Sequence, residues 1–81
     1  MQLSVRLFAA FRERAGASSI EVEVSPEATV ADVVAAVAER APALRELIGA
    51  ARPVVNREFV GPERPVAAGD ELALLPPVSG G

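Results

Sequence analysis

Leu3, Val5 and Leu7 alternate with Ser4, Arg6 and Phe8 at the start of the chain. A period of two predicts a strand with one buried face. The alternation lapses over residues 12–19, Arg-Glu-Arg-Ala-Gly-Ala-Ser-Ser, which read as a polar loop. It resumes with Ile20, Val22 and Val24 against Glu21, Glu23 and Ser25, so the first two strands predict an antiparallel hairpin with a long connection. Ser25-Pro26 closes the second strand.

Beyond it the period changes. Val30, Val33, Val34, Val37 and Ala41 recur at spacings of three and four, the apolar stripe of a helix of about three turns. Thr29 is a suitable N-cap, and Asp32 three residues on completes a capping-box-like pair that places negative charge in the first turn. Interior alanines offset the modest helix propensity of the valines. Pro42 ends the helix near residue 40 or 41. It also opens a second short helical turn over 43–48, closed by Gly49.

Strand signals then return. Val54-Val55 and a brief Phe59-Val60 flank a turn at Asn56-Arg57-Glu58, and Gly61-Pro62 and Ala68-Gly69-Asp70 are further turns. The last strand is Glu71–Leu75, closed by Pro76-Pro77. The order β-β-α-β-(β)-β points to an α+β domain of the β-grasp type, a mixed sheet curled around one main helix; other small α+β topologies remain open. The expected division is a folded domain over 1–75 and an extended tail over 76–81.

Composition narrows the chemistry. The 81 residues are 51% hydrophobic, enough for one compact core, yet contain no Cys, His, Trp or Tyr. Disulfides, thiolate ligands and a thiol nucleophile are thereby excluded, as are the usual neutral-pH base and the commonest metal ligand. All eight basic residues are Arg, so no Lys side chain can form a Schiff base. No catalytic apparatus and no metal site are expected, and the chain reads as no enzyme on its own. A net charge of −3 with so few aromatics argues against nucleic acid as a partner. Neither a secretory signal nor an apolar run of membrane-spanning length is visible, so a cytoplasmic protein without membrane association is expected.

The end of the sequence is where chemistry concentrates. After Leu75 the chain runs Pro76-Pro77-Val78-Ser79-Gly80-Gly81. The prolines favour polyproline II, and at about 3.1 Å per residue this segment reaches on the order of 19 Å from the sheet. Gly80 and Gly81 carry no side chain and can thread a narrow channel on another protein. A resting carboxylate on Gly81 is a poor acyl donor, but a partner that spends ATP can convert it to an acyl-adenylate. The acyl group can then accept sulfur as a thiocarboxylate. Val78 in this tail is expected to contact a partner.

These residues resemble a known family, the small subunits of molybdopterin synthase. The resemblance lies in Val5-Arg6-Leu7-Phe8-Ala9 with Arg12-Glu13, in Val55-Asn56, in Gly69-Asp70-Glu71-Leu72, and above all in Pro76-Pro77-Val78-Ser79-Gly80-Gly81. It covers nearly the whole chain. It implies a ubiquitin-like β-grasp sulfur carrier whose terminal glycine, here Gly81, is adenylated by a ubiquitin-activating-type adenylyltransferase and thiocarboxylated from a sulfur donor. It further implies that the tail enters a large subunit, within a heterotetramer, and supplies sulfur to cyclic pyranopterin monophosphate in molybdenum cofactor biosynthesis. No permanently bound cofactor is implied; ATP belongs to the activating enzyme. Many members of that family carry aromatics before Pro-Pro, where this chain has Leu74 and Leu75.

Outside the tail, Phe8, Phe11 and Leu75 are the candidate partner-interface residues, Phe8 because it falls on the strand face opposite Leu3, Val5 and Leu7. Adjacent Asp70 and Glu71 point to opposite faces and do not form a carboxylate pair; Gly69-Asp70 reads as a turn. The arginines are scattered and read mostly as solvated surface. Competing functions are carriage of sulfur to thiazole, cysteine or thiolated RNA, modification of target lysines in the manner of ubiquitin, and a plain interaction domain.

Overall fold

The computed structural model describes residues 1–77 of the chain. Five strands and three helices follow in the order β1 (Gln2–Leu7), α1 (Ala10–Ala15), β2 (Ser19–Glu23), α2 (Val30–Arg40), α3 (Arg45–Ile48), β3 (Arg52–Val55), β4 (Glu58–Phe59) and β5 (Leu72–Leu75). A 3₁₀ turn over Pro42–Leu44 leads into α3. The strands form one sheet in the order β2-β1-β5-β3-β4. The β1–β5 pair is parallel, with Val5 opposite Leu72 and Leu7 opposite Leu74; the other neighbouring pairs are antiparallel. A mixed sheet with a hairpin on either side of a parallel central pair, crossed by one main helix, is the expected β-grasp.

Alternation sets the core. Leu3, Val5 and Leu7 of β1, Val22 of β2, Val55 of β3, and Leu72 and Leu74 of β5 are all buried on the sheet face that α2 covers with Val30, Val33 and Val37. No polar side chain is buried among the described residues. The capping box forms: the Thr29 backbone N–H donates to Asp32 Oδ2 at 2.9 Å. The next orphan donors of α2 are met from outside the helix, Val30 N–H by Arg64 O at 2.9 Å and Ala31 N–H by Pro62 O at 3.0 Å. The 61–65 segment thus serves as a second cap. No helix of the described residues is long and apolar enough to cross a membrane.

One expectation fails. The region read as a polar loop over 12–19 begins inside a helix, α1, which starts at Ala10 and places Phe11 in the core at 1% exposure. Gly16 ends it in the left-handed region at φ +71°, its N–H donating to Arg12 O at 3.0 Å. The turn from β1 into α1 is made at Ala9, whose φ of +50° is rare for a residue with a Cβ. That turn separates two neighbouring aromatics: Phe8 stays with the strand while Phe11 swings beneath the sheet.

The β3–β4 hairpin closes through Asn56 and Arg57, with φ of +51° and +70°, the double positive φ that a two-residue hairpin turn requires. Asn56 also ties the turn to the start of β5. Its Nδ2 donates to Asp70 Oδ1 at 3.1 Å, and its Oδ1 accepts from Glu71 N–H at 3.0 Å. Asp70 in turn accepts from Ala67 N–H at 2.8 Å. That backbone bond, helped by Asn56 and the Arg64 guanidinium, holds the Asp70 carboxyl below its usual 3.8. Ionised Asp70 therefore stabilises the fold at neutral pH, and the contribution is lost as pH falls below 3.8 through the folded-state value. Asp70→Asn should lower stability at neutral pH and flatten its decline below about pH 4, as read by urea unfolding across that range. An unchanged pH profile would show that Asp70 has no such role.

Candidate functional site

The face of the sheet turned away from α2 has no described element over it. Register assembles it row by row. Arg6, Ala73, Val54 and Phe59 lie side by side across β1, β5, β3 and β4. In the adjoining row Leu75 stands opposite Arg52, and Phe8 follows directly on β1. Arg6, Phe8, Val54, Ala73, Leu75 and Arg57 line a shallow depression of about 170 Å³.

This apolar strip has a basic rim. The Arg6 guanidinium lies 5.4 Å from the Phe8 ring centroid, and that of Arg52 lies 4.3 Å from the Phe59 centroid. Both fall within cation–π range, worth roughly 0.5–1 kcal/mol when exposed. Arg57 approaches Glu71 at 3.7 Å with both side chains largely in solvent, a contact that orients more than it stabilises. Phe59 is 57% exposed, the single large hydrophobic so exposed among the described residues. An aromatic that stacks under an arginine and stays open to water offers apolar area of the kind that interface cores concentrate.

Of the sequence-derived interface residues, Phe8 and Leu75 are half-buried and meet on this face. Phe11 does not belong there. The expectation extended the surface role of Phe8 to it, but α1 turns it into the core. Asp70 and Glu71 diverge as expected, one into the 67–70 turn and the other toward Arg57. Sequence reasoning missed Val54, Phe59, Arg52 and Arg57. The available signal was the two-residue Asn56-Arg57 turn, which fixes Phe59 opposite Val54.

The tail starts from the same corner. Leu75 ends β5 beside Arg52, then Pro76 is half-buried and Pro77 exposed. The remaining predicted site residues, Val78, Ser79, Gly80 and Gly81, lie outside the described residues. The described residues therefore place an open apolar face, rimmed by arginines, at the end of β5.

The chain matches the model of the ThiS family over residues 5–81. It is 40% identical over 84 residues to small archaeal modifier protein 1 of Haloferax volcanii, covering 94% of this chain and 97% of that protein. It is 36% identical over 83 residues to the molybdopterin synthase sulfur carrier subunit of Chlamydomonas reinhardtii, covering the whole of both. The crystal structure of SAMP1 from Haloferax volcanii superposes with a TM-score of 0.88 at 36% identity, covering the whole of both chains.

Proposed function

The chain belongs to the ThiS family of ubiquitin-like β-grasp proteins, and we propose that it is the sulfur-carrying small subunit of a molybdopterin synthase. The observation that carries this reading is the Pro76-Pro77-Val78-Ser79-Gly80-Gly81 segment, joined directly to β5 beside an open apolar face and included to Gly81 in the family match. In this reading a Gly81 carboxylate oxygen attacks the α-phosphorus of ATP on an activating enzyme, and pyrophosphate leaves. Hydrosulfide released by a sulfur donor then adds to the acyl carbon, AMP leaves, and the product is a thiocarboxylate. The loaded tail enters the large subunit, where sulfur passes to the pterin precursor. The Phe8–Leu75–Phe59 face holds the body of the carrier against each partner in turn, so that the tail alone has to find the reacting centre.

Two measurements test this. Intact-mass analysis after incubation with ATP, an activating enzyme and a sulfur donor should show replacement of one oxygen by sulfur, localised to Gly81; a mass that never changes overturns the assignment. Phe59→Asp should weaken binding to the large subunit about 30-fold, the scale of a two-kcal/mol anchor, with only a small fall in the melting temperature, because most of the ring is exposed and its contact with Arg52 is a weak one. Calorimetric titration that finds wild-type affinity would remove Phe59 from the docking face.

The 40% identity to a small archaeal modifier protein favours a second reading, in which the same acyl-adenylate passes to a lysine amine of a target protein. Isopeptide adducts ending in Gly81 would support it. Both readings share the activation step and the open face.

A further inference from the structure

Among the described residues, the edge of β2 is a second surface that no element covers. No described strand pairs with it, since β2 ends the sheet order. The phase of the β1–β2 ladder shows which backbone groups it presents. Met1 and Val24 exchange bonds of 2.6 and 2.9 Å, and Leu7 N–H donates to Ser18 O at 2.9 Å. Bonded pairs alternate in an antiparallel ladder, so the N–H and C=O groups of Ser19, Glu21 and Glu23 point outward from the edge.

A groove runs between this edge and α2. It comprises two adjoining depressions of about 440 and 420 Å³ that share Glu23, Ala36 and Glu39. Its floor is small and apolar, formed by Val22, Val24, Ala28 and Ala36. Its rim is acidic: Glu21 and Glu23 from β2, Asp32 and Glu39 from α2, against Arg40 at one end. The terminal amine at 3.4 Å balances part of the Glu23 charge, and Gln2 donates to Glu21 at 2.8 Å. The open face has the opposite character, with three arginines around its apolar strip.

We propose that this groove is a second docking site, which takes an extended segment of a partner protein in which Arg or Lys alternates with Val or Ile. Such a segment pairs with the outward backbone groups of Ser19, Glu21 and Glu23 as a sixth strand. Its side chains then alternate in direction. One set reaches the Val22–Ala36 floor; the other lies beside the Glu21 and Glu23 carboxylates. A second copy of this chain is the wrong occupant, because antiparallel pairing of two β2 edges brings glutamates against glutamates, and like charges directly opposite destabilise a strand pair. Placed away from Phe8, Leu75 and Phe59, the groove can be filled while the open face is engaged.

The test is a titration of ¹⁵N-labelled protein with the peptide acetyl-Val-Arg-Val-Arg-Val-Arg-Val-amide, read by amide shifts and hydrogen exchange. The expected result is saturable shifts at Ser19, Glu21, Glu23, Ala36 and Glu39, with slowed exchange at Ser19, Glu21 and Glu23. A peptide with the same side chains but N-methylated on its pairing edge should not bind. The exposed double change Glu21→Lys with Glu23→Lys should weaken binding at least about tenfold, a difference near 1.4 kcal/mol, with only a small fall in melting temperature from the lost surface contacts to Gln2 and the terminal amine. Equal binding of the methylated peptide, shifts centred on Arg6, Val54 and Phe59, or no saturation would overturn the proposal. Concentration-dependent shifts along β2 without peptide would replace it with self-association. None of these outcomes bears on the carrier reading, which depends on Gly81 and the open face.

Discussion

Deleting Gly80 and Gly81 is expected to abolish thiocarboxylate formation while leaving the folded domain and its melting temperature unchanged. Every buried side chain among the described residues lies between Leu3 and Leu74, so the deletion takes none of them away. In the proposed role it does remove the acyl group and the slender pair that brings that group to the activating site. The residue left at the end, Ser79, would present its carboxylate two residues short, roughly 6 Å at the polyproline rise. In-line attack on a phosphate tolerates far less displacement than that. Intact-mass analysis should show no sulfur adduct, and complementation of a cell lacking the carrier should fall to background. Gly81→Ala separates reach from width: the carboxylate stays in register, but a methyl now enters the channel. Its product should be sharply reduced if the channel is fitted to glycine. A deletion variant that still restores cofactor synthesis would place the reacting group elsewhere in the chain.

Much of this architecture was legible because its elements obey single, local rules. The alternation around Leu3–Leu7 and Ile20–Val24 specified two half-buried strands, and both form in the register that puts Val22 and Leu3 together. The valine spacing with Thr29 and Asp32 located the start of α2 to the residue, since stripe and cap agree, and its end to within one. What local rules could not supply was the order of strands. The parallel pairing of β1 with β5 joins segments more than sixty positions apart, and nothing in either strand encodes its neighbour. The open face suffered for the same reason. Phe8 and Leu75 were visible as outward residues of their own strands, whereas Arg6, Val54 and Phe59 become one row only when β1, β5, β3 and β4 lie side by side. The groove on β2 was hidden too, because it needs α2 as its second wall. The proposed role of Gly81 rests on the sequence alone, on a carboxylate and an absent side chain, and needs nothing from the fold.

Phe11→Ala should be the most damaging single substitution outside the tail, and it follows from the one element misread in the sequence. The polar run from Arg12 concealed a helix whose first turn, Ala10-Phe11, lies just ahead of it. A residue three places beyond Phe8 looked like a second surface aromatic. The Ala9 turn at φ +50° changes the period at that point, and Phe11 becomes one of the largest fully buried side chains. With no Trp or Tyr in the chain and only three Phe, its ring volume has no substitute nearby. Truncation of a buried Phe costs about 3–5 kcal/mol, a large share of the roughly 5–15 kcal/mol that holds a small domain together. The melting temperature should fall by on the order of 20 °C. Phe8→Ala provides the contrast: the ring is half-buried on the open face, so its loss should lower the melting temperature only slightly while weakening partner binding. Thermal unfolding and partner titration of the two variants should therefore show opposite patterns. If Phe11→Ala melts like the wild type and instead loses its partner, α1 does not bury this ring, and Phe11 belongs on the docking surface after all.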